Sequence, residues 1–120
     1  MKDFEVLVVR GTNPSGVSMT RDILAAAAVF AERQGESVPT WGFHSPGGGR
    51  VELQGGIGIE TRKLPGRRKG SASILLVPGI WVVDARQLAA RLAEDDCQQA
   101  IRAIAAHVAG GGEVAASCSA

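Results

Sequence analysis

Tyrosine is absent from these 120 residues, and aromatic side chains amount to three phenylalanines and two tryptophans. So few rings offer no platform on which nucleic-acid bases could stack. Trp41 and Trp81 are therefore read as core or interface residues, Trp81 being also placed to line a ligand pocket at the end of a strand. Cysteine is nearly as scarce. Cys97 and Cys118 stand 21 positions apart, with no second pair and no Cys/His spacing of the zinc kind, which argues against a disulfide scaffold and a zinc module and suits reduced thiols in the cytoplasm. Neither charge sign dominates: 13 Lys and Arg face 12 Asp and Glu, a net of +1, so composition gives no general pull toward nucleic acid or membrane. Long apolar runs are missing too. The opening "MKDFEVLVVR" holds only Val6 to Val9 before Arg10, so neither a secretory leader nor a membrane span is expected.

Other absences concern motifs. The glycine-rich "GTNPSG" and "PGGG" match neither the P-loop nor the dinucleotide pattern after the first strand, and turn geometry accounts for their glycines. No carboxylate cluster points to a metal, and Asp95 and Asp96 read as helix-start charges. Arg62, Lys63, Arg67, Arg68 and Lys69 place five cations in eight positions, but without aromatics or helical spacing they read as a solvated loop.

What is present has a clear order. "FEVLVVRG" is a Val-rich run suited to a strand buried on both faces. The turn formers "TNPSG" follow. From Val17 to about Gln34 the pattern is helical, with Met19, Ile23, Ala26, Ala27 and Phe30 as one apolar stripe and Gly35 as the stop. "SVPTWGFHS" predicts a second strand weakened by Pro39. "RVELQ" and "GIGIETR" predict a hairpin turning at Gly55 and Gly56, one of its faces solvated. "SILLVPG" is another buried strand, stopped by Pro78 and Gly79. Helices are expected over 84–92 and 95–109, the second with an apolar stripe that includes Cys97 as a packed, unreactive thiol. "GGG" then ends the helix and "EVAASC" enters a last strand. Strands alternating with helices predict a single α/β domain whose mostly parallel sheet carries helices on both faces. Ligands in such sheets sit beyond the carboxyl ends of the strands, which brings "GTNPSG", "PGIW" and "CSA" to one edge.

At that edge Cys118 lies between Ser117 and Ser119, with Ala116 and Ala120 two residues to either side. Small neighbours at those positions are what a nucleophile elbow needs, because strand and helix backbones approach closely there. A helix beginning after it would favour thiolate over thiol. A buried, inert cysteine near a strand end is the plainer alternative.

Three stretches, "VLVVRGTNPSGVSMTRDILAAAAVF", "ILLVPGIW" and "AIAAHVAGGGEVAASCSA", together resemble the ThiJ/PfpI superfamily of class I glutamine-amidotransferase-like domains. The branch they resemble is the sensor half of GlxA-type AraC-family transcriptional regulators. The resemblance implies a flavodoxin-like αβα sandwich, incomplete after the nucleophile elbow. Residues 1–120 would then be the N-terminal part of one domain, its C-terminal part and any helix-turn-helix DNA-binding domain lying outside them. It also implies a ligand site among Asn13, Ser15, Gly79, Ile80, Trp81, Cys118 and Ser119, with Cys118 the catalytic nucleophile if the protein is an enzyme.

Three departures weigh against catalysis. Gly16 stands where the enzymes of the superfamily place a carboxylic acid, and no carboxylate occurs between Arg10 and Asp22. Gly79 is followed by bulky Ile80 and Trp81 where a second glycine is usual, which disturbs an oxyanion site. Neither His44, beside a loop, nor His107, read as a solvated residue near a helix end, can be assigned as base to Cys118. The expected function is a non-catalytic ligand-sensing or dimerising domain of a transcriptional regulator, without cofactor or metal. The alternative is a cysteine-dependent hydrolase, hydratase or glyoxalase. The expected partners are an unidentified small-molecule ligand and a second copy, as a homodimer. DNA is reached only through a further domain, and no membrane is involved.

Overall fold

A computed structural model describes residues 3–64 and 73–117. Arg67, Arg68 and Lys69 of the basic cluster, and Cys118 and Ser119 of the expected ligand site, lie outside them. Six strands form one sheet: β1 (Asp3–Leu7), β2 (Thr40–Ser45), β3 (Gly49–Glu52), β4 (Gly58–Lys63), β5 (Ile74–Val77) and β6 (Glu113–Ala116), in the order β3-β4-β2-β1-β5-β6. All neighbours are parallel except the β3/β4 hairpin. Three helices, α1 (Pro14–Arg33), α2 (Ala85–Leu92) and α3 (Asp95–Ala109), complete a flavodoxin-like α/β sandwich.

The chain leaves β1 in one direction, through α1 to β2, and leaves β5 in the other, through α2 and α3 to β6. Right-handed crossovers running opposite ways put their helices on opposite faces, and the core divides accordingly. Val6 and Val8 point to the α1 side, where Val17 and Leu53 bury against them with Phe43 and Leu76 alongside. Leu7, Val9 and Leu75 point the other way and pack with Cys97 and Ala100 of α3. Alternation along a strand covered on both faces explains the unbroken apolar run that the sequence shows. Complete burial of Leu75, Val6 or Val8 contributes about 1.5–3 kcal/mol each.

Several boundaries and faces differ from expectation. α1 starts at Pro14, because Asn13 is extended and proline, with its fixed φ and no N–H, suits the first helical turn. Gly35, at φ +70°, closes the helix as expected. The second strand begins only after Pro39, which has no N–H for the ladder. More consequential is the stripe on α1. Val17 and Leu24 are buried against the sheet, whereas Met19, Ile23 and Phe30 are 63%, 62% and 59% exposed. The spacing identified an apolar face correctly but not its partner.

His107 also departs from the solvated position expected of it. It is buried, with Nε2 3.0 Å from the Glu113 carbonyl, so the ring clamps the end of α3 onto the start of β6. Nδ1 is buried without a hydrogen-bond partner, so the bond that holds the ring is the one from Nε2 to that carbonyl. The clamp needs a glycine: a Cβ at Gly112 would lie 2.3 Å from His107 Nε2. Gly112→Ala is expected to cost about 1–3 kcal/mol by overpacking, read as a lowered midpoint in urea denaturation, while Gly111→Asn, at φ +85° in open space, should cost less.

Candidate functional site

The carboxyl ends of the parallel strands meet around Gly11, Thr12 and Asn13. Thr12 is 1% exposed. Its hydroxyl accepts from the Val9 amide at 3.0 Å and donates to the Val9 carbonyl at 2.7 Å, satisfying the amide and sharing the carbonyl with the Thr12 amide at 3.0 Å. The surrounding backbone ties two parts of the sheet together. Toward the hairpin, the Gly11 amide donates to the Glu52 carbonyl and the Gln54 amide donates to the Thr12 carbonyl. Toward β5, the Asn13 amide donates to the Gly79 carbonyl at 2.9 Å and the Trp81 amide to the Gly11 carbonyl at 3.0 Å, around an isolated Thr12–Ile80 bridge.

The sequence-derived site residues divide as follows. Asn13, Gly79, Ile80 and Trp81 are brought together by this stitch; Ser15, in the first turn of α1, is exposed. Gly79 and Ile80 are buried, while the Trp81 ring is 56% exposed. The backbone groups of Asn13 and Trp81 that face this junction are used in holding it. β6 runs parallel to β5 at the edge of the sheet, and the Ser117 amide still donates to the Val77 carbonyl; Cys118 and Ser119 lie past the last described residue. Gly16, where the resemblance expects an acid, packs on the β5 exit: a Cβ there would meet Pro78 Cβ at 3.3 Å, so any side chain has to push the proline aside.

Neither histidine reaches this junction as a base. A Cβ at Gly42 would lie 3.3 Å from His44 Nε2, which shows the ring folded back along β2, away from the strand's carboxyl end. Burial, helped by the Arg62 charge, holds the His44 pKa below its ordinary 6.5. His107 is committed to the α3–β6 clamp.

Beside the stitch, a cleft of about 400 Å³ opens between the ends of β1 and β2, the strand β3 and the first turn of α3. Its polar lining is Arg10, Ser45, Arg50, Glu52, Asp96 and Gln99. Sequence reasoning named none of these six as a site residue, since the only signal was the alternation of a solvated hairpin face and ordinary helix polarity. The floor of the loop is close-packed: a Cβ at Gly48, which sits at φ +69°, would come within 2.9 Å of the Lys63 backbone nitrogen.

Charges around the cleft are paired. Arg91 has a side chain only 10% exposed and holds Asp96 through two bonds of 2.6 and 2.7 Å, while also donating to the Arg10 carbonyl at 2.7 Å. Arg10 pairs with Glu94, and Arg50 with Glu52 at 2.7 Å. Hydrogen bonding from Arg91 keeps the Asp96 carboxyl below the usual range. Burial pushes the Cys97 thiol up, consistent with a packed, inert cysteine. Among the described residues, no group of three His, Cys, Asp or Glu side chains could hold a metal ion. The arrangement can bind a small polar molecule through donors and acceptors fixed on both sides.

The fold defines the class: an α/β sandwich whose turns gather at the strand carboxyl ends. Among solved structures, the chain is similar to an AraC-family transcriptional regulator from Pseudomonas putida, with a TM-score of 0.72, 13% identity, and coverage of 97% of this chain and 64% of that one. It is also similar to a protein from Vibrio parahaemolyticus provisionally called a transcriptional regulator, with a TM-score of 0.66, 19% identity, and coverage of 96% and 55%. The chain thus spans under two thirds of either neighbour. No family model and no curated protein matches the sequence. No helix among the described residues is long and apolar enough to cross a membrane.

Two outcomes follow from this geometry. Thr12→Val is expected to lose about 1–3 kcal/mol because the buried Val9 amide loses its acceptor, with Thr12→Ser recovering most of it, as measured by urea denaturation. His44 is neutral when folded and takes up a proton more readily when unfolded, so its contribution is fully present above pH 6.5 and is lost as the pH falls through the depressed folded value. Unfolding midpoints across that window should decline for the wild type and decline less for His44→Gln.

Proposed function

We propose that this chain is the N-terminal part of a ThiJ/PfpI-like sensor domain of an AraC-type transcriptional regulator, non-catalytic, which takes a small polar ligand at the carboxyl edge of its sheet. The single observation that carries the reading is the character of that edge. A cleft lined by paired charges of both signs adjoins a junction where the position of the superfamily's acid is a glycine packed on Pro78. Binding groups are present; where the acid that would work with a cysteine is expected, a glycine packs on the Pro78 ring.

The regulator-type neighbours support the reading through their fold and the order of elements they share with this chain. A cytoplasmic setting and DNA contact through a further domain belong to the same proposal. Asn13 and Trp81 border the junction from the α1 and β5 sides, and Ser119 and Cys118 are assigned to the same edge by the resemblance.

Thermal melts in the presence of short carboxylates, primary amines and amino acids test the ligand. At least one class is expected to raise the melting temperature of the wild type, with Arg50→Ala, exposed on the hairpin, abolishing the shift. Turnover of a thioester or aldehyde that disappears in Cys118→Ser would overturn the non-catalytic reading in favour of the cysteine-dependent enzyme, and the absence of any shift would overturn the cleft as the site.

A further inference from the structure

Two arginines line the cleft beside the stitch, Arg10 and Arg50, and they are held in different ways. Arg50 is seated. Its Nε donates to the Glu52 carboxylate at 2.7 Å, and its guanidinium covers the bare backbone of Gly58 on the neighbouring strand, where a Cβ would collide with it. Arg10 is fixed by its main chain, whose carbonyl accepts from Arg91 at 2.7 Å. Its side chain is 60% exposed and pairs with Glu94.

Glu94 can give up that partner without being left alone. The oxygen that Arg10 meets, Oε2, also lies 3.6 Å from Arg91 Nη1. Arg91 itself stays in place through two bonds to Asp96 and one to the Arg10 carbonyl. Nor is the Glu94 side chain needed by its helix: it stands at the N-cap of α3 and makes no capping bond. An exposed ion pair costs little to open, because water and salt replace most of what is lost. If Arg10 turns from Glu94 to another anion, every charge in the group therefore keeps a partner.

We propose that Arg10 is the recognition residue of this cleft and Glu94 its holder: the carboxylate of a small ligand takes the Arg10 guanidinium over from Glu94, which keeps Arg91. This rests on the cleft being the ligand site, as proposed above, and names the chemistry it takes. A planar carboxylate fits the fork of a guanidinium with two parallel bonds. Charge disfavours a phosphate dianion, since Arg10, Arg50 and Arg91 are already balanced by Glu52, Glu94 and Asp96. Neutral analogues are rejected by the same device, because an uncharged group cannot displace Glu94.

Thermal melts and heteronuclear NMR of the arginine side chains test the exchange, with sodium propionate as the probe against sodium chloride at matched ionic strength. Propionate is expected to raise the wild-type melting temperature, and phosphate, methylammonium and propionamide to leave it unchanged. Arg10→Gln, which keeps the carbonyl that Arg91 holds, should weaken propionate binding about 10-fold. Glu94→Gln should tighten it about 2- to 5-fold, a gain that damage to the fold does not produce. Arg21→Gln, at an arginine equally exposed on α1, should bind as the wild type does. On titration the Arg10 Nε–H signal should move while that of Arg91 stays. A Glu94→Gln protein that binds no tighter, an Arg10 signal that stays still, or a shift with phosphate in place of propionate would each overturn the inference. If propionate acts through Arg50 while Arg10→Gln and Glu94→Gln both bind as the wild type, the exchange falls and the cleft stands as the site; a wild type that no probe stabilises removes both.

Discussion

The buried hydroxyl of Thr12 is the constraint on which the carboxyl edge of the sheet depends. A chain leaving a central parallel strand must turn where water is excluded, and its backbone groups there need partners. The Thr12 side chain and amide together close the turn on Val9, while the Gly11 and Asn13 amides and the Gly11 and Thr12 carbonyls bond outward to the hairpin on one side and to the β5 exit on the other. With that turn held, α1 starts where Gly16 can rest on Pro78, and the ends of β1, β2 and β5 keep a common level.

Arg91 performs a similar task on the opposite face. Its guanidinium spans three elements: it comes from α2, grips Asp96 at the start of α3, and caps the Arg10 carbonyl after β1. A mostly buried cation is tolerable here because every bond it makes is to a carboxylate or a carbonyl with excellent geometry. The pair therefore fixes one wall of the cleft, and Asp96, read from the sequence as a helix-start charge, has a second role that a one-dimensional pattern does not express. The charges that a ligand would meet are already oriented before it arrives, which lowers the ordering cost of binding.

The strands and helices were largely legible in the sequence, because each carries a local signature: a Val-rich run, a glycine pair in a hairpin, an acidic helix start, a glycine stop. Two readings failed for a shared reason. Period identifies an apolar face without saying what covers it, so the Met19–Phe30 stripe was legible while the residues that meet the sheet, Val17 and Leu24, were not singled out. Polarity identifies a candidate for solvent without knowing what folds back over it, so His107 was placed outside although the next strand closes on it. The cleft was the least legible. Its lining comes from Arg10, Ser45, Arg50 and Gln99, four elements apart in sequence and individually ordinary.

Local preference and the order of elements thus determined by themselves that this would be a parallel α/β layer with its turns gathered at one edge, since strand twist and crossover handedness leave few other arrangements. The tertiary structure alone decided which face of α1 is buried, how the hairpin lies beside β2, and which charges pair around the cleft. Those outcomes depend on how separate elements meet, as in the bond from Arg91 to the Arg10 carbonyl, 81 positions away, and no local pattern carries information across such a distance.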